Sequence, residues 1–193
     1  MELYAVKICD LSGITEENDK QNLLLETKNM IKVRSVFAIK YYNSWIESDS
    51  LYIQMELCLD SLKNLLQLKR KLFSTKPPNR MTSFEVYISL EIFRELTECV
   101  QYMHEKRIIH RDLKPDNVLI ALEEPLYYSK TRLKLCDFGL AKEALSIGAY
   151  VMSDDVGDPR YQAPEAMGTD YDHLADVYSL ALIGAEIFVH YNK

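Results

Sequence analysis

The chain has 193 residues, with 23 Lys+Arg against 29 Asp+Glu, 48% hydrophobic, 10% aromatic and 27% charged residues. This is the composition of a globular protein with a core of ordinary size, which excludes a disordered, collagen-like or low-complexity chain. The net charge of -6 argues against non-specific nucleic-acid binding, which needs a basic surface to neutralise phosphates, but leaves room for a local cation cluster that holds a small anion.

In chain order, residues 3–9 (LYAVKIC) alternate as a short strand, with Ala5 and Lys7 on one face. The stretch NLLLETKNMIKV follows, with Leu23, Met30 and Ile31 at helical spacing and Glu26 as a carboxylate on that inward stripe. Residues 37–46 and 51–57 read as two strands joined at Glu47–Ser50 as a hairpin. After Cys58 the pattern turns helical, with Leu62, Leu65, Leu66 and Leu72 on one side. A basic linker is expected next, with Lys69, Arg70, Lys71, Lys76 and Arg80 in a solvated loop around Pro77 and Pro78. Thr82 to Glu85 is a capping-box pattern, with Met81 placed to staple onto Val86. The long helix it opens carries Phe93, Leu96, Val100 and Met103 and ends before Ile108. Strand-like segments 118–121 and 132–136 flank a loop with Pro125, a mostly polar segment runs over 143–160, and an apolar helix spans Ala175 to Val189. No internal repeat is found. Strands first and helices later suggest an α+β protein of two unequal lobes.

The four cysteines, Cys9, Cys58, Cys99 and Cys136, have no CxxC spacing and read as reduced, small hydrophobic residues. The N-terminal MELYAVKICD lacks a signal-peptide apolar run. The longest apolar stretch, Val177 to Val189, carries Glu186 and falls short of the roughly 20 residues that span a bilayer. A soluble, cytoplasmic protein with no membrane or nucleic-acid partner is expected.

Four strings carry chemistry: HRDLKPDN at His110–Asn117, DFG at Asp137–Gly139, APE at Ala163–Glu165, and AVK ending at Lys7. In this order they resemble a eukaryotic protein kinase of the Ser/Thr type, over essentially the whole chain. The resemblance implies a two-lobed protein-kinase-like fold, incomplete at both ends. Residues 1–58 would be the remnant of the small lobe from its third strand. Residues 59–193 would be the first part of the large lobe, as far as the helix containing Asp176.

The resemblance also implies roles. Phosphoryl transfer rests on positioning and charge neutralisation. Lys7 matches the lysine that reaches the α/β-phosphates of ATP, and Glu26 the carboxylate that fixes it. Asp112 matches the catalytic base and Lys114 the cation at the transferring phosphate, which is also a mark of Ser/Thr specificity. Asn117 and Asp137 match the Mg²⁺ ligands, as oxygen donors suited to a hard cation. Ala5 and Leu119 would sandwich adenine, Met55 would back that pocket, and Glu56 to Cys58 would form the connector that hydrogen-bonds it. Met30, Tyr41, His110 and Phe138 match an apolar column between the lobes, and Asp176 the anchor of the catalytic loop. Arg111 would pair with a phosphate on the segment 137–165, which offers Ser146, Tyr150 and Ser153, with Asp154 and Asp155 as acidic substitutes. YYNSWIE followed by LYIQMELC is similar to kinases of the alpha subunit of translation initiation factor two, and in part to Wee-type kinases.

Two departures stand out. No GxGxxG loop precedes Lys7, and Asp158 in GDPRYQAPE stands where the family usually has Thr. If its carboxylate sits beside Asp112, it is expected to raise the pKa of one of the pair and to misplace Lys114; the competing reading has Asp158 pointing to solvent and neutral in effect. The reading is thus a Ser/Thr kinase domain using ATP and Mg²⁺ on a protein hydroxyl. The alternative is a truncated or catalytically silent kinase-like protein that acts by binding.

Overall fold

The structure, a computed structural model, describes residues 2–12, 26–73, 81–121, 133–143, 157–164 and 172–188. In chain order the elements are β1 (Tyr4–Asp10), helix α1 over 26–32, β2 (Tyr41–Glu47), β3 (Ser50–Glu56), β4 (Cys58–Ser61), α2 (Leu62–Phe73), α3 (Ser83–Glu105), β5 (Ile108–Ile109), a 3₁₀ turn (Pro115–Asn117), β6 (Val118–Ala121), β7 (Leu133–Leu135), β8 (Lys142–Glu143) and α4 (Leu174–Phe188). The strands form an antiparallel sheet in the order β1-β3-β2, a second in the order β4-β6-β7, and the pair β5-β8.

Burial alternates along β1, so Ala5, Lys7 and Cys9 point inward while Val6 and Ile8 stay exposed. The β2–β3 hairpin turns on Ser48 and Asp49, both at positive φ (47° and 56°), which matches the twist of the flanking strands. The expected first strand of this hairpin starts too early. Residues 37–40 leave it: Ile39 N–H donates to the Leu135 carbonyl and Leu135 N–H to that of Phe37, each at 2.9 Å. The segment thus bridges to β7, and Ala38 and Ile39 are buried there. Apolar content alone does not distinguish these two partners.

Helix α1 buries Glu26, Met30 and Val33, as its stripe predicts, but Ile31 is exposed. One residue on from Met30 is about 100° round the helix. Leu23 lies outside the described residues. After Cys58 the chain is a strand before it is a helix, because β4 pairs with β6. Leu62 and Leu66 of α2 are buried and Leu72 is exposed. The expected linker does not begin at Lys69. Lys69, Arg70 and Lys71 belong to α2, and Lys69 is buried. Its Nζ donates to the Ile187 carbonyl at 2.8 Å and lies 3.5 Å from Glu85. Lys76, Pro77, Pro78 and Arg80 lie outside the described residues, as does Pro125.

Thr82 caps α3, accepting from Glu85 N–H at 3.2 Å. Leu96, Cys99, Val100 and Met103 are buried on one stripe, and Val86 stays exposed. Helix α4 lays Leu180, Ile183 and Ile187 into the same core. Gly184 allows the close approach: a Cβ there would stand 2.7 Å from the Phe93 ring. The opposite stripe of α4 leaves Leu174, Val177 and Tyr178 exposed. Among the described residues no helix is long and apolar enough to cross a membrane.

Candidate active site

The inward face of β1 meets the start of α1. Lys7 Nζ donates to both Glu26 oxygens at 2.8 and 3.0 Å and to Asp137 Oδ1 at 3.1 Å. Burial opposes the Lys7 charge, but Glu26 and then Asp137 more than offset it and hold the ammonium above the ordinary lysine value. Burial pushes the Glu26 carboxyl up while Lys7 pulls it back. One turn along α1, Asn29 Nδ2 donates to the carbonyls of Phe138 at 3.1 Å and Ala141 at 2.8 Å. The helix is thereby tied to the segment that carries Asp137.

The loop His110–Asn117 leaves β5 and is held by a buried carboxylate on α4. Asp176 accepts from His110 N–H at 2.8 Å and Arg111 N–H at 3.0 Å, and its Oδ2 is 2.9 Å from His104 Nε2. Arg111 and Asp137 both sit at positive φ, 70° and 62°. For Arg this is a strained conformation, and the Asp176 bond on its amide helps fix it. His110 Nε2 donates to the Cys136 carbonyl at 3.0 Å and its ring lies 5.4 Å from that of Phe138. Met30, His110 and Phe138 are buried and Tyr41 is partly so, all in one core cluster apart from His110, which packs on Phe138.

Asp112 is buried, and its Oδ2 accepts from Lys114 Nζ at 2.6 Å and Asn117 Nδ2 at 2.9 Å. Asn117 Nδ2 also bonds the Asp112 carbonyl at 2.8 Å, closing the loop on itself. Burial works against the charge on Lys114, and Asp112 outweighs it, so the ammonium is held above the usual value.

A cavity of about 410 Å³ opens between the two three-stranded sheets. Its wall includes Ala5, Lys7, Glu26, Met55, Glu56, Cys58, Asn117, Leu119 and Asp137, all singled out from sequence. Asp112 and Lys114 are not on that wall; Asn117 links them to it. Leu57, inside the expected connector, also lines the cavity, and sequence reasoning missed Val6, Ile39, Asp60 and Cys136 there. The environment of the two thiols facing it favours the protonated form. Burial, with Glu56, pushes Cys58 up to about 11, and burial, with Asp137, pushes Cys136 up to about 12. Also missed was Lys134, whose Nζ clamps both Glu56 oxygens at 2.7 and 2.8 Å.

Asp158 differs from expectation. Its N–H, not its carboxylate, meets Asp112, donating to Oδ1 at 3.0 Å. Gly157, at φ 113°, makes this approach possible: a Cβ there would lie 2.9 Å from the Arg111 carbonyl. The carboxylate turns instead to Arg160, 3.0 Å from Nε and 2.6 Å from Nη2. That guanidinium pulls its pKa down to about 2, so Asp158 is not the member of the pair that rises. Ser146, Tyr150, Ser153, Asp154, Asp155 and Glu165 lie outside the described residues.

A family model described as "Protein kinase domain" matches residues 1–192. The chain is 30% identical over 186 residues to the serine/threonine-protein kinase fused of Drosophila melanogaster, covering 96% of this chain and 20% of that protein. It is 31% identical over 200 residues to a Wee1-like protein kinase of Arabidopsis thaliana, covering 96% and 33%. It is 33% identical over 183 residues to the membrane-associated tyrosine- and threonine-specific cdc2-inhibitory kinase wee-1.3 of Caenorhabditis briggsae, covering 93% and 24%. The chain therefore spans a third or less of the length of these three relatives.

Proposed function

The chain belongs to the protein kinase domain family, and from that premise we propose that it transfers the γ-phosphate of ATP to a Ser or Thr hydroxyl of a protein. The observation that carries the proposal is the meeting of Lys7, Glu26, Asn117 and Asp137 on one cavity wall, with Asp112 and Lys114 hydrogen-bonded behind Asn117. We divide the chain at residue 58 into a small and a large lobe, with the cavity between them.

Lys7, held by Glu26, binds the α/β-phosphates. Ala5, Met55 and Leu119 enclose adenine against the connector Glu56–Cys58. The acceptor hydroxyl oxygen attacks the γ-phosphorus, the bond to the β–γ bridging oxygen breaks, and ADP leaves with that electron pair. Asp112 takes the hydroxyl proton. Lys114 offsets charge on the transferring group. Asn117 and Asp137 would hold Mg²⁺, and they fit it: an amide and a half-exposed carboxylate, both hard oxygen donors, face one cavity. When bound, that ion supplies positive charge at the phosphate oxygens.

The test is radiolabel transfer from ATP to dephosphorylated casein, followed by phosphoamino-acid analysis. Phosphoserine or phosphothreonine is expected, with Asp112→Asn lowering the rate by about 100-fold or more. Nucleotide binding without transfer would support a silent binding module. Phosphotyrosine as the main product would remove the Ser/Thr assignment; the name of the wee-1.3 relative includes both tyrosine and threonine, so this outcome is informative. The narrower substrate reading, the alpha subunit of translation initiation factor two, rests on YYNSWIE and LYIQMELC alone and is tested by offering that subunit in the same assay.

A further inference from the structure

The turn that lies over Asp112 carries a charge pair that the proposed reaction does not use. Asp158–Tyr161 (DPRY) is a turn by sequence, with Asp first and Pro second. Tyr161 N–H closes it on the Asp158 carbonyl at 2.9 Å. The Asp158 side chain then accepts from Arg160 three times: from the backbone N–H at 3.1 Å, from Nε at 3.0 Å and from Nη2 at 2.6 Å. Arg160 also lies over the Tyr161 ring, 5.5 Å from its centroid. The turn is fixed to α4, because Ser179 Oγ donates to the Tyr161 carbonyl at 2.7 Å and the Tyr161 hydroxyl donates to Glu186.

Asp158 is mostly covered while Arg160 is 66% exposed. An exposed ion pair contributes little to stability, so the consequence of this one lies in where it puts charge. Asp158 N–H bonds one oxygen of Asp112 and Lys114 bonds the other. The backbone of residue 158 and the Lys114 ammonium therefore meet on the two oxygens of one carboxylate, which puts a carboxylate released from Arg160 within reach of Lys114. Other described charges around the turn are Glu186, bonded to Tyr161 and paired with Arg70 at 2.9 Å, Asp116, paired with Lys63 at 2.6 Å, and Asp137.

We propose that Arg160 is a positioning residue for the transfer reaction: it holds the Asp158 carboxylate away from Lys114, so that Lys114 serves Asp112 and the transferring phosphate alone. The inference rests on the phosphoryl-transfer reading of this site. Without Arg160, two carboxylates compete for one ammonium and Lys114 is drawn off line. Removing the competing charge as well should undo the harm, which a purely structural role for Arg160 would not predict.

The experiment compares the parent chain, Arg160→Gln, Asp158→Asn and the double variant, with ATP and dephosphorylated casein. Arg160→Gln should lower kcat by about tenfold or more, the scale of a misplaced catalytic group, with apparent KM for ATP changed by less than about twofold. The double variant should recover to within about threefold of the parent. A second arm needs no activity: the Asp158 carboxyl and the Lys114 side-chain resonances are followed through an acid titration by NMR. In Arg160→Gln, Asp158 should titrate near the ordinary value of about 3.9, and the Lys114 signals should move with it more than in the parent. If the parent transfers no phosphate, the functional reading fails while the titration still decides the inference. Lys114 signals equally blind to Asp158 in both proteins, or an equal loss of kcat in the single and double variants, would overturn it.

Discussion

Of the lysine–glutamate pairs among the described residues, two sit at places where sequence suggests very different things. Lys7 and Glu26 face the cavity: Nζ contacts both carboxylate oxygens, and the lysine side chain is 36% exposed. Lys69 and Glu85 are sealed between α2, α3 and the end of α4, 3.5 Å apart, with side chains 9% and 1% exposed. Their ionisation differs in sign. Carboxylates outweigh burial at Lys7 and hold it above the ordinary lysine value. Burial outweighs Glu85 at Lys69 and depresses it. Lys69 has a second task, since its Nζ, together with Ser89 Oγ, donates to the Ile187 carbonyl near the end of α4. Such carbonyls have no partner within their own helix. The cavity pair is short and open to water, where a ligand can reach the ammonium. The sealed pair joins three helices and offers nothing to a ligand.

The largest effect that separates the two pairs is on folding. Lys69→Met removes the cation beside a buried carboxylate and a donor to the Ile187 carbonyl, and should cost about 3–5 kcal/mol in urea unfolding. The double variant Lys69→Met/Glu85→Leu should regain most of that, because no buried charge remains. Lys7→Met should show the reverse profile. It should weaken Mg²⁺-dependent ATP binding measured by calorimetry while destabilising the fold less than Lys69→Met, since water reaches the cavity and Glu26 can take up a proton. Equal losses of stability in the two lysine variants would erase the distinction.

The contrast sharpens with pH. A lysine depressed in the folded state loses its proton first in the folded protein, so the unfolded chain binds more protons and stability rises with pH over that interval. A raised lysine does the opposite. The stability gap between parent and Lys69→Met should therefore widen as pH approaches the ordinary lysine value of about 10.4 from below. The gap between parent and Lys7→Met should stay level up to that value and narrow above it. Denaturant unfolding across pH 8 to about 11 in the three proteins checks the signs. Gaps that move in the same direction would remove the assigned difference in environment.

How legible each pair was follows from how far its partners lie. Glu26 could be found because it shares a helical stripe with Met30, and Lys7 because β1 alternates. The strings around Asp112 and Asp137 are local, so the loop His110–Asn117 is legible in the sequence as one unit. Lys69 was hidden: it stands in a basic run ahead of two prolines, and its carbonyl partner is 118 residues away. Residues 37–40 were misassigned for the same reason, their partner being β7. Asp158 is a different failure. Its partner is only two residues on, inside the Asp-Pro-Arg turn, so the neighbouring cation and not the like charge at Asp112 decides where the carboxylate points.

A third pair tests whether distance or burial sets the ranking, and it carries the smallest expected effect. Lys63 Nζ is 2.6 Å from Asp116 Oδ1, closer than either lysine discussed above comes to its glutamate. If separation governed energy, this pair would be the strongest of the three. But Lys63 and Asp116 are 45% and 35% exposed. In water-like dielectric the attraction is weak, salt screens it, and fixing a long lysine side chain costs entropy. Lys63→Ala should therefore change unfolding free energy by less than about 1 kcal/mol, and that difference should shrink when salt is raised to about 1 M. The Lys69→Met loss should persist in the same salt, because ions do not reach a sealed pair. A Lys63→Ala loss as large as that of Lys69→Met would mean that contact distance sets these energies, and the contrast between sealed and open pairs would then fall.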